Sequence, residues 1–177
     1  DFVYGFVTEN IIKKILEISK KYSLKIFGDI QCSSQQGMVT KFKGFTLISP
    51  NEKEARIALQ DNESGLESIS MQLIKRTNTK NLIMKLGADG LIAYEKISSK
   101  KIRRQSFPAL SANPVDVSGA GDALLALIAT SLCSRNNFMS AVSLGSCMSA
   151  IAVETMGNRP INSLVLKKFI AKIFNTD

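Results

Sequence analysis

Residues 113–132, NPVDVSGAGDALLALIATSL, constrain the possible fold more than any other stretch of this chain. Pro114 disfavours helix in the residue before it, and residues 115–117 are expected to finish a short extended segment. Ser118 is a suitable N-cap, and Gly119, Ala120 and Gly121 are expected to open a helix. The apolar run at residues 123–132 then continues this helix.

The start of this helix is expected to bind an anion. Its first turn leaves backbone N–H groups without intrahelical partners, and glycines let a ligand approach them closely. Asp122 lies beside these groups, where its carboxylate can accept the proton of an attacking hydroxyl during phosphoryl transfer. A purely structural alternative is that the glycines pack the helix start tightly and that Asp122 complements the helix dipole.

Helical and extended patterns alternate from one end of the chain to the other. This alternation predicts an α/β fold, a doubly wound, mostly parallel sheet with helices on both faces, in a single domain over residues 1–177. Helices are expected at residues 9–22, from residue 50 onward, and at 66–76, 119–132, 138–155 and 163–174. Strands are expected at residues 24–27, 45–49, 81–86, 91–95 and 101–107, and residues 1–7 are expected to end a further strand.

The composition excludes several classes of site. The 177 residues contain no His and only three scattered Cys, which argues against a zinc site, excludes His-based triads and fits a reducing cytoplasm. No apolar run approaches the roughly 18 residues that a membrane span needs. The net charge is +8, but aromatic residues do not interleave with the basic ones, so we expect a solvated basic surface and no nucleic-acid partner. A homodimer remains possible.

The stretch D-V-S-G-A-G-D at residues 116–122 resembles the D-T-x-G-A-G-D signature of the ribokinase-like (PfkB) carbohydrate kinases, with Val117 in place of Thr. The resemblance implies that the backbone of Gly119, Ala120 and Gly121 forms an anion hole. It also implies that Asp122 is the catalytic base.

Residues 50–54, P-N-E-K-E, are similar to the P-N-x-x-E element of the same family. The resemblance implies that Asn51 and Glu54 organise the phosphate and Mg²⁺ environment, with Glu54 acting on the metal through water, since Mg²⁺ usually keeps several waters. The residues themselves are also explained without function, because Asn51 can cap a helix whose positive end suits Glu54.

Residues 85–90, K-L-G-A-D-G, resemble the family's T-L-G-x-x-G unit, with Lys85 in place of Thr. The resemblance implies that Lys85, Gly87 and Gly90 lie beside the bound nucleotide. A simple Gly-rich hairpin turn explains the same residues equally well, and Lys85 is then a solvated strand end.

The helix expected at residues 138–155 is rich in small residues. By resemblance it lines the adenine pocket with Ser146 and Ala150 and leads to Gly157, Ser146 standing where the family often has Asn. Tight helix–helix packing is the alternative use of these small residues.

Residues 1–8 and 28–31 look most like the heptose phosphate kinases of this family, although Gln31 replaces a Lys. The family's N-terminal sugar-binding strands and lid have no counterpart, and the chain begins without Met, so it resembles the C-terminal, nucleotide-binding half of a sugar kinase. The implied activity is Mg²⁺-assisted transfer of the γ-phosphoryl group of ATP to a sugar or phosphosugar hydroxyl, weak in these residues alone. The alternative is a non-catalytic nucleotide-binding fragment.

Overall fold

The computed structural model describes residues 5–31, 38–111, 113–157 and 159–174. All eleven helices and strands expected in the interior of the sequence are found there. The helices are α1 (Glu9–Tyr22), α2 (Glu52–Leu59), α3 (Leu66–Thr77), α4 (Ala120–Cys133), α5 (Phe138–Val153) and α6 (Ser163–Phe174), and the strands are β1 (Phe27–Gly28), β2 (Leu47–Ile48), β3 (Asn81–Lys85), β4 (Leu91–Lys96) and β5 (Ile102–Phe107).

Two extended segments expected from the sequence contain no strand among their described residues. Residues 5–7 form bends, while residues 1–4 lie outside the described part. Residues 115–117 pair with no strand in the described part of the chain, and the N–H groups of Val115 and Asp116 instead both donate to the carbonyl of Val153 at the end of α5. This segment is therefore held by a helix terminus.

The chain divides into two compact units. The first contains Asp1–Gly87 and Leu91–Ser106, with α1 to α3 and the sheet. The second contains Ala88–Gly90 and Phe107–Asp177, with α4 to α6.

The sheet has the strand order β1-β2-β3-β4-β5. The first three strands are parallel, with Phe27 opposite Leu47 and Leu47 opposite Asn81, whereas β3 and β4 are antiparallel. Helices α2 and α3 form the crossover from β2 to β3, as a parallel connection requires. The carboxyl ends of β1, β2 and β3 therefore meet at one edge of the sheet.

The first unit is held together by an apolar cluster contributed by the sheet and all three of its helices. Its buried members include Ile12, Ile48, Ala55, Leu73, Leu82, Met84 and Tyr94. Gly28 belongs to this packing, since a Cβ there would lie 2.9 Å from the ring of Phe45 and 3.0 Å from that of Phe42. Only glycine allows β1 to lie this close to the two rings.

In the second unit, α4 packs against α5 and α5 against α6. The contact between α4 and α5 depends on Gly145, where a Cβ would lie 2.6 Å from Cγ1 of Ile128 and 3.1 Å from Cδ1 of Leu124. Close helix packing thus accounts for this small residue of α5.

The turn between β3 and β4 contains two glycines with different surroundings. Gly87 has a φ of 61° and open space around its Cα. Gly90 has a φ of 89°, and a Cβ there would overlap the carbonyl oxygen of Phe107 and lie 2.7 Å from the backbone nitrogen of Ala109. Gly90 is thus required both by its backbone conformation and by its neighbours.

We predict that Gly90→Ala lowers the free energy of unfolding by about 3 kcal/mol, since left-handed strain and a backbone overlap add together. Gly87→Ala is the matched control and should cost only about 1–2 kcal/mol, the strain alone. Urea unfolding followed by circular dichroism measures both. Equal costs for the two variants would contradict this account of Gly90.

Candidate active site

Helix α4 begins one residue later than the sequence predicts. Its N-cap is Gly119, at a φ of 77°, and no side chain caps the helix. The prediction of Ser118 as the N-cap is therefore wrong. Ser118 and Gly119 lie in a tight turn in which the N–H of Ala120 donates to the carbonyl of Val117 at 3.3 Å, and the positive φ at the cap position suits glycine.

Three backbone N–H groups remain at this helix start. The N–H groups of Gly119, Gly121 and Asp122 come before the first N–H group that has an acceptor within the helix. That first group belongs to Ala123, and it donates to the carbonyl of Gly119 at 2.9 Å. Within the described residues, none of the three has an acceptor outside the helix. Of the predicted anion cradle, formed by the amides of residues 119–122, these three amides are therefore unsaturated, whereas that of Ala120 donates to Val117.

The carboxylate of Asp116 braces the loop in front of the cradle. Its Oδ1 accepts the backbone N–H of Ser118 at 2.9 Å, and its Oδ2 accepts the backbone N–H of Gly157 at 3.1 Å. Hydrogen bonding from the backbone of Ser118, then from its side chain and from Gly157, holds the pKa of Asp116 below its ordinary value. One side chain thus connects the start of α4 to the turn that follows α5.

A pocket of about 300 Å³ opens beside the helix start. Its polar lining comes from Ser118, Asp122 and Arg159, and its apolar lining includes Ala126 and Met148. Asp122 is itself exposed, so its carboxylate is accessible to a ligand. The pocket therefore combines an accessible acid, a cation and an apolar wall in a volume suited to a small molecule.

In the first unit, the start of α2 is a complete capping box. The Oδ1 of Asn51 accepts the N–H of Glu54 at 2.8 Å, and Oε2 of Glu54 accepts the N–H of Asn51 at 2.8 Å. The side chain of Glu54 is buried. The structural alternative for this motif is therefore realised, and the other carboxylate of the first turn, Glu52, is paired with Arg56.

A second polar group lies at the carboxyl ends of the parallel strands. Lys85, the last residue of β3, forms an ion pair with Asp29, which follows β1, with Nζ 2.9 Å from Oδ1 and 3.0 Å from Oδ2. The two side chains are only 20% and 17% exposed. Lys85 is thus neither a solvated strand end nor an isolated cation.

A comparison with models of protein families shows which family this chain belongs to. The model described as "pfkB family carbohydrate kinase" matches residues 10–163, most of the chain. The chain belongs to the PfkB family of carbohydrate kinases. The motifs at residues 50–54, 85–90 and 116–122 all lie within the matched region.

Curated relatives of this PfkB chain confirm the resemblance to heptose phosphate kinases. The bifunctional protein HldE of Desulfatibacillum aliphaticivorans is 27% identical over 176 residues, covering 94% of this chain and 33% of that protein. The bifunctional protein HldE of Campylobacter fetus is 27% identical over 187 residues, covering 100% of this chain and 39% of that protein. The PfkB chain thus spans little more than a third of these relatives.

Solved structures confirm the ribokinase-like fold class. Ribokinase from Thermotoga maritima matches with a TM-score of 0.73 and 23% identity, covering 90% of this chain and 53% of that one. Arabidopsis thaliana ribokinase complexed with ribose and ATP matches with a TM-score of 0.74 and 20% identity, covering 92% and 53%. The sheet of this PfkB chain is mixed, because β4 runs antiparallel to β3.

The structure groups some of the predicted site residues and separates others. Asp122 and Gly157 line the same pocket. Ser146 and Ala150 do not line it, because both are buried, and the hydroxyl of Ser146 donates to the carbonyl of Val142 at 3.0 Å. Their predicted contact with adenine remains a prediction.

Sequence reasoning missed Arg159 and Asp29. Asp29 follows a parallel strand directly, and since ligands bind outside the carboxyl ends of such strands, its position was a usable signal. Arg159 lies in an irregular segment after α5, and nothing in the local sequence indicates its place in the pocket.

We predict that Asp116→Ala lowers the stability of the chain at pH 7 and that the loss shrinks in acid. The pKa of Asp116 is depressed in the folded state, so its contribution is present above the unfolded value of about 3.9 and is lost as pH falls through the folded value. Urea unfolding of both proteins at a series of pH values between neutral and strongly acidic measures this. A stability difference that stays constant across the pH series would contradict the claim that the ionised carboxylate of Asp116 stabilises the loop.

Proposed function

We propose that this chain carries the nucleotide-binding and catalytic-base residues of a kinase that phosphorylates a sugar or phosphosugar hydroxyl with ATP. Membership of the carbohydrate kinase family supports the reaction class. The observation that carries the assignment to residues is the unsaturated helix start of α4, with the exposed carboxylate of Asp122 beside it.

In the proposed reaction, the oxygen of the acceptor hydroxyl attacks the γ-phosphorus of ATP while Asp122 takes the hydroxyl proton. The bond from the γ-phosphorus to the bridging oxygen breaks, and its electron pair leaves with ADP. The amides of Gly119, Gly121 and Asp122 donate to the oxygens of the transferring group and stabilise its charge. This cradle is formed before any ligand arrives, so little reorganisation is needed.

Mg²⁺ would neutralise part of the charge on the phosphates. The start of α2 offers one buried carboxylate, Glu54, already engaged in the capping box. Within the described residues there is also no group of three His, Cys, Asp or Glu side chains that could hold a metal ion. The donor set of the described residues fits a hydrated Mg²⁺ that Glu54 contacts through water.

Cytoplasmic location is part of the proposal, because Cys133 and Cys147 are both free thiols, as a reducing compartment favours. No helix in the described ranges is long and apolar enough to cross a membrane.

We predict that the 177-residue chain binds ATP and that Gly121→Val weakens this binding at least tenfold, since a branched side chain in the first turn of α4 blocks the amides. Gly65→Val is the matched control, because Gly65 precedes α3 and has open space around its Cα. Isothermal titration gives both dissociation constants. Equal affinity in the folded Gly121→Val variant would contradict the cradle.

We predict that Asp122→Asn in the intact enzyme lowers kcat by about 10²–10⁴-fold, which is the usual range for loss of a general base. Nucleotide affinity should change little, because asparagine keeps the shape of the side chain. Asp116→Asn is the control and should reduce kcat less, since Asp116 acts through the loop. If steady-state kinetics show that Asp116→Asn lowers kcat more than Asp122→Asn does, the assignment of Asp122 as the base is wrong.

A further inference from the structure

Basic side chains gather along one edge of the sheet in the first unit. The parallel strands β1, β2 and β3 begin at this edge, and because β4 is antiparallel to β3, β4 ends there and β5 begins there. Helices α1 and α3 also end there, since each leads into a strand that begins at this edge. We call the surface formed by residues 20–25, 43–46, 75–80 and 95–103 the basic edge.

Hydrogen bonds hold the segments of the basic edge side by side. The N–H of Gly44, before β2, donates to the carbonyl of Thr77, the last residue of α3, at 2.7 Å. The N–H of Lys96 donates to the carbonyl of Lys80 at 2.9 Å, and Nζ of Lys96 donates to Oδ1 of Asn78 at 3.0 Å. Neighbouring strands lie about 4.8 Å apart, so the five strand ends form a row about 19 Å long. The basic edge is therefore one continuous surface.

The charge of the basic edge is almost entirely positive. Each of its four segments contains Lys or Arg, and the four together contain a single carboxylate, that of Glu95. Glu95 lies 3.5 Å from the guanidinium of Arg103. Lys80, Lys100 and Lys101 are exposed and have no ion pair within the described residues. Their charge is therefore available to an anionic partner.

Helix dipoles account for only part of this charge. Lys20 and Lys21 lie in the last turn of α1, and Lys75 and Arg76 lie in the last turn of α3, where cations complement the dipole. Residues 96–103 form the end of β4, a turn and the start of β5, where no helix ends. Like charges gathered there repel each other without gaining from a dipole, as expected of a surface that meets an anionic partner.

Exposed apolar side chains accompany the charge at both ends of the row. Tyr22 and Leu24, before β1, are more than half exposed, and Ile97, in the turn between β4 and β5, is 45% exposed. Nucleic acids are contacted mainly by charged and polar groups and by aromatic stacking. An anionic bilayer receives both kinds of group, since its headgroups attract cations and its interface takes up apolar side chains. The combination favours a lipid surface.

We propose that the basic edge binds the surface of a membrane that contains anionic phospholipids. Its lysines approach the headgroups, and Tyr22, Leu24 and Ile97 enter the boundary between headgroups and acyl chains. Strand β3 is five residues long, so the motifs at residues 50–54 and 85–90, at the carboxyl ends of the strands, lie about 15 Å from this edge. They stay accessible while the protein is bound. The inference does not depend on the proposed kinase reaction.

The test is sedimentation of the 177-residue chain with two kinds of vesicle, one of phosphatidylcholine alone and one of phosphatidylcholine and phosphatidylglycerol in equal parts. The chain should bind the mixed vesicles far more strongly than the neutral ones, and added salt should weaken this binding. Replacing Lys80, Lys100 and Lys101 together by Gln should lower the partition coefficient about 100-fold, since each lysine near such a surface contributes about fivefold.

A matched triple variant separates the basic edge from net charge. Replacing Lys13, Lys14 and Lys53 together by Gln removes the same charge from the first half of α1 and the start of α2, away from the basic edge. This variant should bind the mixed vesicles almost as well as the unchanged chain. Circular dichroism checks that both triple variants are folded. Equal losses of binding in the two would overturn the proposal, because net charge alone would then explain it.

A further variant, Ile97→Ser, distinguishes a bilayer from a soluble polyanion. It should weaken binding to the mixed vesicles about fivefold, because less apolar surface leaves water, and should leave any binding of duplex DNA unchanged. Vesicle binding that ignores Ile97→Ser, duplex DNA that binds more tightly than the mixed vesicles, or equal binding to neutral and mixed vesicles would overturn the proposal.

Discussion

The carboxylate of Asp116 is the interaction on which the candidate active site depends. It accepts one backbone N–H from the loop before α4 and one from the turn after α5, so a single charged group fixes both. With the loop held in this way, Gly119 adopts its positive φ and α4 begins at Ala120. The free amides of the cradle follow from that start, since they are the N–H groups that precede the first intrahelical hydrogen bond.

Much of the fold was predictable from the sequence, because apolar periodicity and turn residues mark the elements locally. Helix α6 was predicted at its observed bounds, residues 163–174, and α1 at residues 9–22. The start of α4 was misplaced by one residue, since a Ser in front of a helix usually caps it and the positive φ that makes Gly119 the cap is visible only in three dimensions. The division into two units also depends on contacts between residues distant in the chain.

The site was only partly predictable for the same reason. The motif that contains Asp122 is local, and Asp122 and Gly157 both line the pocket beside it, where their roles stay predictions. The pairing of Asp29 with Lys85 joins residues 56 positions apart, and no local pattern reveals it. The sequence allows two interpretations of the small residues of α5, namely adenine binding and helix–helix packing. The packing of Gly145 against α4 shows that helix packing explains at least this residue.

The most direct test of the account is to observe the cradle itself. Backbone amide resonances of the ¹⁵N-labelled chain are recorded as ATP is added. The account predicts that Gly119, Gly121 and Asp122 shift strongly and saturate together, while Gly65, before α3, stays in place. Saturable ATP binding that leaves those three amides unmoved would contradict the assignment of the helix start as the phosphate site.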